Sequence, residues 1–219
     1  MSKSYSSVHE HMHEQYIEGK TSKMYKSLDY FSRSMLNKAT IVKNIKKAKI
    51  LYKVVNEKIK SSGTMENDDI HQLYMLLTDC FEVIVDDVIL LSAFEMLMKR
   101  KLLAKSYIIH EITEPLFLKK KQKKVPIHVR TIQSNAKNKE SIKFSDNTIG
   151  IGFLMKNDYL SKTKVPDSIL KGLAKVRNRR NLVHFQSPFA WSVDNELLEL
   201  VQYLDKEIPS IKIKGVRRT

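Results

Sequence analysis

A single cysteine, Cys80, occurs in 219 residues, so no disulfide can form within the chain. Its apolar setting (Leu76, Leu77, Phe81, Val83) casts it as a small buried hydrophobe rather than a nucleophile, and fits a reducing compartment. No Gly-rich phosphate loop, internal repeat or low-complexity stretch is present apart from one lysine run. Nor does any segment reach the roughly 18 uncharged apolar residues that a membrane span needs. Met1 to Lys20 is polar and lacks the apolar centre of a secretory signal. These absences predict a cytoplasmic chain without membrane contact, long enough to bury a core unaided by disulfides or metals.

What the chain has in excess is positive charge. The formal charge is +15 and the pI is near 9.7, so a polyanionic partner, nucleic acid first, is expected from counterion release. Thirty-one of the 39 basic residues are Lys, which an AT-rich coding sequence gives without selection for binding. Arg usage is sharper: of eight Arg, Arg177, Arg179 and Arg180 fall within four residues.

The apolar period is helical almost throughout. Residues 1–22 show neither helical nor strand period and read as a mobile leader. Ile41, Ile45, Ala48, Tyr52, Val55 and Ile59 mark an amphipathic helix within Lys23 to Ser61, with a break near Asn37 and a stop at Gly63. Lys43, Lys46, Lys47, Lys53 and Lys60 lie elsewhere on its wheel. A second long helix is expected from about Asp69 to about His110 on the stripe Ile70, Tyr74, Leu77, Phe81, Ile84, Val88, Leu91, Glu95, Met98 and Leu102. Glu95 is the one charged member of that stripe; on an apolar face it calls for a cationic partner, and it is a candidate buried acid near the functional site.

Residues 113–146, with Pro115, Pro126 and the basic run Lys119, Lys120, Lys121, Lys123 and Lys124, read as a long loop or insertion, in which Ile127 to Ile132 could make a short strand. Asn147 to Leu160 predicts a short helix, and Pro166 and Asp167 open another that reaches about Phe185. Ser192 is placed to cap a last helix over Val193 to Glu207, which Pro209 stops before a basic tail over 208–219. The expected fold is therefore all-α, a helical bundle of two long antiparallel helices and a shorter motif-bearing helix, with one domain over 23–207.

The chemistry concentrates in Val176-Arg177-Asn178-Arg179-Arg180-Asn181-Leu182-Val183-His184-Phe185. At about 100° per residue, His184 points within about 20° of Arg177, Asn181 lies about 40° away and Arg180 about 60°. Arg179 points nearly opposite, toward solvent or a phosphate. Ile169, Leu173, Val176 and Val183 mark the adjacent buried side. A planar cation, an amide and an imidazole side by side suit an anionic oxygen and a proton in transit. Trp191 and Phe185 read as core. His9, His11 and His13 alternate in the leader without a third-ligand framework, so no metal and no cofactor are expected.

On these residues the chain resembles the HEPN superfamily, whose mark is an Arg followed four to six residues later by His, usually with Asn close after the Arg. Two registers fit: Arg177-Asn178 with six residues before His184, and Arg179-Arg180 with four. The helical geometry favours Arg177. The extra Arg and the basic insertion depart from the usual pattern and leave the motif arginine open.

The resemblance implies a helical bundle, metal-independent RNA cleavage and a homodimer in which two motif copies meet. Toxin, defence or RNA-processing roles follow from it, with an antitoxin or regulatory protein as a further partner. In that scheme Arg177, His184, Asn181 and Asn178 form the catalytic set, and Arg179, Arg180 and the lysine run bind nucleic acid. The rival expectations are a non-catalytic HEPN-like RNA- or protein-binding module and an all-α DNA-binding protein.

Overall fold

The helical period at Ile41, Ala48, Tyr52 and Val55 produces a broken rod: α1 (Ser22–Leu36), α2 (Thr40–Lys43) and α3 (Ile45–Ser62). The computed structural model describes residues 16, 22–62, 70–105, 107–112, 144–181 and 193–210. Among these the chain is mostly helical with two short strands, an all-α architecture. The remaining elements are α4 (Ile70–Ala104), β1 (His110–Ile112), β2 (Phe144–Thr148), α5 (Ile151–Leu154), α6 (Asn157–Thr163), α7 (Asp167–Asn181) and α8 (Asn195–Glu207). No described helix is long and apolar enough to cross a membrane. Of the leader at 1–22, only Tyr16 and the start of α1 are described, and the insertion and the tail lie largely outside the described residues.

The chain divides into two compact units, each built from two stretches: 1–29 with 95–164, and 30–94 with 165–219. The division does not follow the linear limits at 22 and 208 read from the sequence.

In the first unit, Leu97, Met98, Leu102 and Leu103 are buried with Ile108, Ile109, Ile149, Leu154 and Tyr159. The helix expected to run to His110 ends at Ala104, and Tyr107 N–H donates back to Leu102 O. A short strand follows instead: β1 pairs antiparallel with β2, His110 opposite Thr148 and Ile112 opposite Phe144. The single helix expected over Asn147–Leu160 is thus a strand end followed by α5 and α6, with Lys164 left-handed at the cap (φ 54°). Tyr16 is buried, its hydroxyl between His110 Nδ1 (2.8 Å) and Ile109 N–H (3.2 Å). Glu95 accepts from the nearly buried Lys99, which also donates to Thr148 Oγ1 at 2.7 Å. Its cationic partner is therefore local, one turn along its own helix.

The second unit buries Ile41, Ala48, Tyr52 and Val55 together with Val83, Leu90, Leu91 and Phe94, and with Ile169, Leu173 and Val176 of α7 and Leu197, Leu200 and Leu204 of α8. Asp86 accepts from Thr40 N–H (2.7 Å) and Ile41 N–H (3.1 Å), replacing the cap that Ala39 cannot supply at the start of α2. Lys47 pairs with Glu82 at 3.5 Å. As 40 rises to 47 its partner falls from 86 to 82, so α2 and α3 run antiparallel to this part of α4.

The expected stripe of α4 is buried at Leu91, Met98 and Leu102 but not at Phe81 and Val88. Phe81 is 66% exposed and Val88 42%, while Val83, Asp86, Asp87, Leu90 and Phe94 point inward. The helix is apolar nearly all round, so a four-three step can be drawn along more than one face and periodicity alone does not choose.

At the far end of α8, Arg33 of α1 donates to the carbonyls of Asp205, Ile208 and Pro209 and pairs with Asp205 at 2.5 Å. It meets the unpaired carbonyls of a helix C-terminus with a cation, as the dipole favours.

Candidate functional site: the two faces of the arginine helix

Helix α7 starts where the sequence places it, with Pro166 O accepting from Ile169 and Leu170 N–H and Asp167 in the first turn. Ile169, Leu173 and Val176 form its buried stripe. Gly172 lies on the same side, and a Cβ there would stand 2.5 Å from Glu196 O and 3.4 Å from Leu200 Cβ. Only the missing side chain lets α7 approach the start of α8 so closely. Asp194, not Ser192, caps α8: its Oδ1 accepts from Leu197 N–H at 3.0 Å. Lys175 then bridges the helices, 2.7 Å from Asp194 and 3.1 Å from Glu196. Burial raises the Asp194 carboxyl, but the Lys175 and Leu197 hydrogen bonds outweigh it and leave the pKa lowered.

One turn further, the helix turns an arginine inward. Arg179 is 4% exposed, and its Nε and Nη2 donate to Asp87 Oδ2 and Oδ1, both at 3.0 Å. Asp87 is fully buried. The expectation that Arg179 faces solvent or a phosphate is corrected here. It does lie opposite Arg177, but what lies opposite is the interior. The guanidinium also stands over the Tyr52 ring, 5.7 Å from its centroid. The Tyr52 hydroxyl is buried with no hydrogen-bond partner among the described residues, and burial pushes its pKa up. Burial likewise pushes the Asp87 carboxyl up to about 6, against the two Arg179 hydrogen bonds that favour the ionised form. Desolvation pulls the Arg179 guanidinium down, but the bonds to Asp87 prevail and raise it. Such a pair adds little net stability over an apolar substitute, yet losing one partner strands a buried charge.

The other face is open. Arg177 and Asn178 are exposed and Arg180 is half-buried. Arg177 makes no ion pair or hydrogen bond with any described residue, so its planar donor is available to an anion. Asn181 is the last described residue of the helix, and the end expected near Phe185 lies outside the described residues. His184 and the lysines at 119–124 lie outside the described residues, so of the proposed catalytic set the structure describes Arg177, Asn178 and the backbone of Asn181, all on α7. Glu95, proposed as an acid near this site, belongs to the other unit and is satisfied by Lys99.

The α4 acid that anchors this helix is Asp87, whose neighbour Asp86 serves the start of α2. Their signal in the sequence was a pair of carboxylates inside Phe81–Phe94, a stretch otherwise apolar but for Glu82 and Ser92. Two adjacent carboxylates in such a helix require either solvent or partners, and both found partners.

Comparison of the chain with protein-family models, with curated proteins and with solved structures gives no match.

Proposed function

We propose that the protein is a HEPN-like endoribonuclease that cleaves RNA without a metal, with Arg177 and His184 as the acting pair. The observation that supports this reading best is the division of labour on α7: Arg179 is committed to Asp87, while Arg177, two residues away, is exposed and uncommitted. This favours the register in which Arg177, Asn178 and His184 form the motif.

The chemistry asks little more of the chain. His184 takes the proton of a ribose 2′-hydroxyl, whose oxygen attacks phosphorus as the bond to the 5′-oxygen breaks. Arg177 spreads two N–H donors over the phosphate oxygens as charge grows there, which Lys cannot do as well. Asn178 and Asn181 orient the ribose or the imidazole. The leaving oxygen needs a proton that a neutral His184 has just gained or that a second copy of His184, across a twofold axis, supplies.

Incubating the purified chain with mixed RNA in EDTA, followed by end-group analysis, tests the proposal. Products ending in a 2′,3′-cyclic phosphate or its hydrolysis product are expected. Intact RNA, or cleavage that needs a divalent metal and leaves 5′-phosphates, would sink it; RNA bound but uncut would favour the binding-module reading.

A further inference from the structure

Helix α3 holds six Lys and a single acid, Glu57. Its inner face, Ala48, Tyr52 and Val55, is spent on the core. On the solvent side Lys46, Lys49, Lys53 and Lys60 are all exposed. At about 100° and about 1.5 Å per residue they fall within about 60° of one another along about 21 Å of helix. Only Lys53 of the four has an ion-pair partner among the described residues, a loose contact to Glu57 at 3.8 Å. Lys46 and Lys49 are three apart and Lys49 and Lys53 four, so they repel with no interleaved acid to relieve them.

We infer that this row on α3 is a track for the phosphate backbone of single-stranded RNA. The inference rests on RNA being the partner and on nothing in the cleavage chemistry. A row of like charge in which Glu57, between Lys53 and Lys60, is the one acid complements a polyanion, and binding relieves the repulsion among the lysines while releasing counterions. Beside the row the exposed apolar side chains are Ile50 (58%) and Val54 (38%), neither of which offers a base-reading hydrogen bond or an aromatic platform. Contact through the row is therefore indifferent to sequence. On the inner side of the same helix, Tyr52 lies against Arg179, so the track belongs to the unit that carries Arg177.

The test uses the full chain and a 2′-O-methyl oligo-uridine, which cannot be cut by 2′-hydroxyl attack. Affinity is measured across a salt series for the parent, for Lys46→Gln/Lys49→Gln/Lys60→Gln, and for the control triple Lys105→Gln/Lys156→Gln/Lys162→Gln in the other unit. The slope of log affinity against log salt should fall by about 2 in the α3 triple, at about 0.7 per phosphate contact on a single strand, and stay unchanged in the control. Circular dichroism and the RNA-induced rise in Tm accompany each variant; the rise should shrink in the α3 triple alone. An unchanged slope, or equal losses in both triples, overturns the track. So does a row whose loss weakens binding of poly-glutamate but not of RNA, which would mark an acidic protein as the occupant. Cleavage of unmodified RNA is read in parallel. A parent that cuts while its α3 triple keeps the parental slope and KM defeats the track and leaves the nuclease standing; a parent that binds along the row without cutting does the reverse.

Discussion

Two faces of α7 (Asp167–Asn181) carry arginines two residues apart, and they live under opposite physical rules. Arg179 is buried against Asp87, reached across 92 positions of sequence, and its charge is wholly satisfied within the fold. Arg177 is exposed and satisfied by nothing described. A basic cluster in a sequence is thus not one functional object. One member is tied into the interior, and the other is left open to solvent.

The comparison breaks most visibly at Asp87. Asp87→Ala strands the Arg179 guanidinium in the interior and should cost about 3–5 kcal/mol, whereas Asp87→Leu with Arg179→Met should come back to within about 1–2 kcal/mol of the parent. Urea titration of the three proteins decides this; a double variant as unstable as the single would show that the pair supplies more than mutual neutralisation.

Acidity sharpens the same contrast. The folded pKa of Asp87, about 6, lies above its ordinary 3.8. The fold therefore binds this proton more tightly than the unfolded chain does, and the associated stability is present below pH 4 and lost as pH rises through 6. The stability advantage of the parent over Asp87→Asn should narrow by about 2–3 kcal/mol between pH 4 and 7. A gap that widens over that range contradicts the assignment.

Gly172→Ala forces a methyl group to within 2.5 Å of Glu196 O and should cost about 1–3 kcal/mol as α7 and α8 move apart. Thermal unfolding reads it, and a neutral outcome would mean that the two helices slide without loss. Smallest of all, Arg177→Ala should leave stability within about 0.5 kcal/mol of the parent, because an exposed side chain without partners holds nothing in place.

How much of this could be read from the chain follows the range of the interactions. The break after Leu36 and the start of α7 at Pro166 were readable because helix-start and helix-stop signals act within a few residues. The all-α class followed from helical spacing sustained over most of the chain. The buried face of α4 did so only from Leu91 onward, since Phe81 and Val88 are as apolar as Val83 and Leu90, and which of them meets the core is decided by α2, α3 and α7. At the site, the helical wheel correctly separates Arg177 from Arg179, yet it cannot say which side is the interior when Asp87 lies 92 residues away. Nor does any local signal announce Gly172, whose value depends on a backbone carbonyl of α8. The β1–β2 pair was missed for the same reason: His110–Ile112 meets Phe144–Thr148 only in three dimensions.

The central claim, that the buried face of α7 holds the helix while its open face does the chemistry, is tested most directly by cleavage rates of variants whose folding is verified by circular dichroism. Arg177→Ala and His184→Ala should keep the parental spectrum and unfolding midpoint and lose about 10²- to 10⁴-fold in RNA cleavage. An Arg177→Ala protein that cuts RNA at the parental rate would contradict the account.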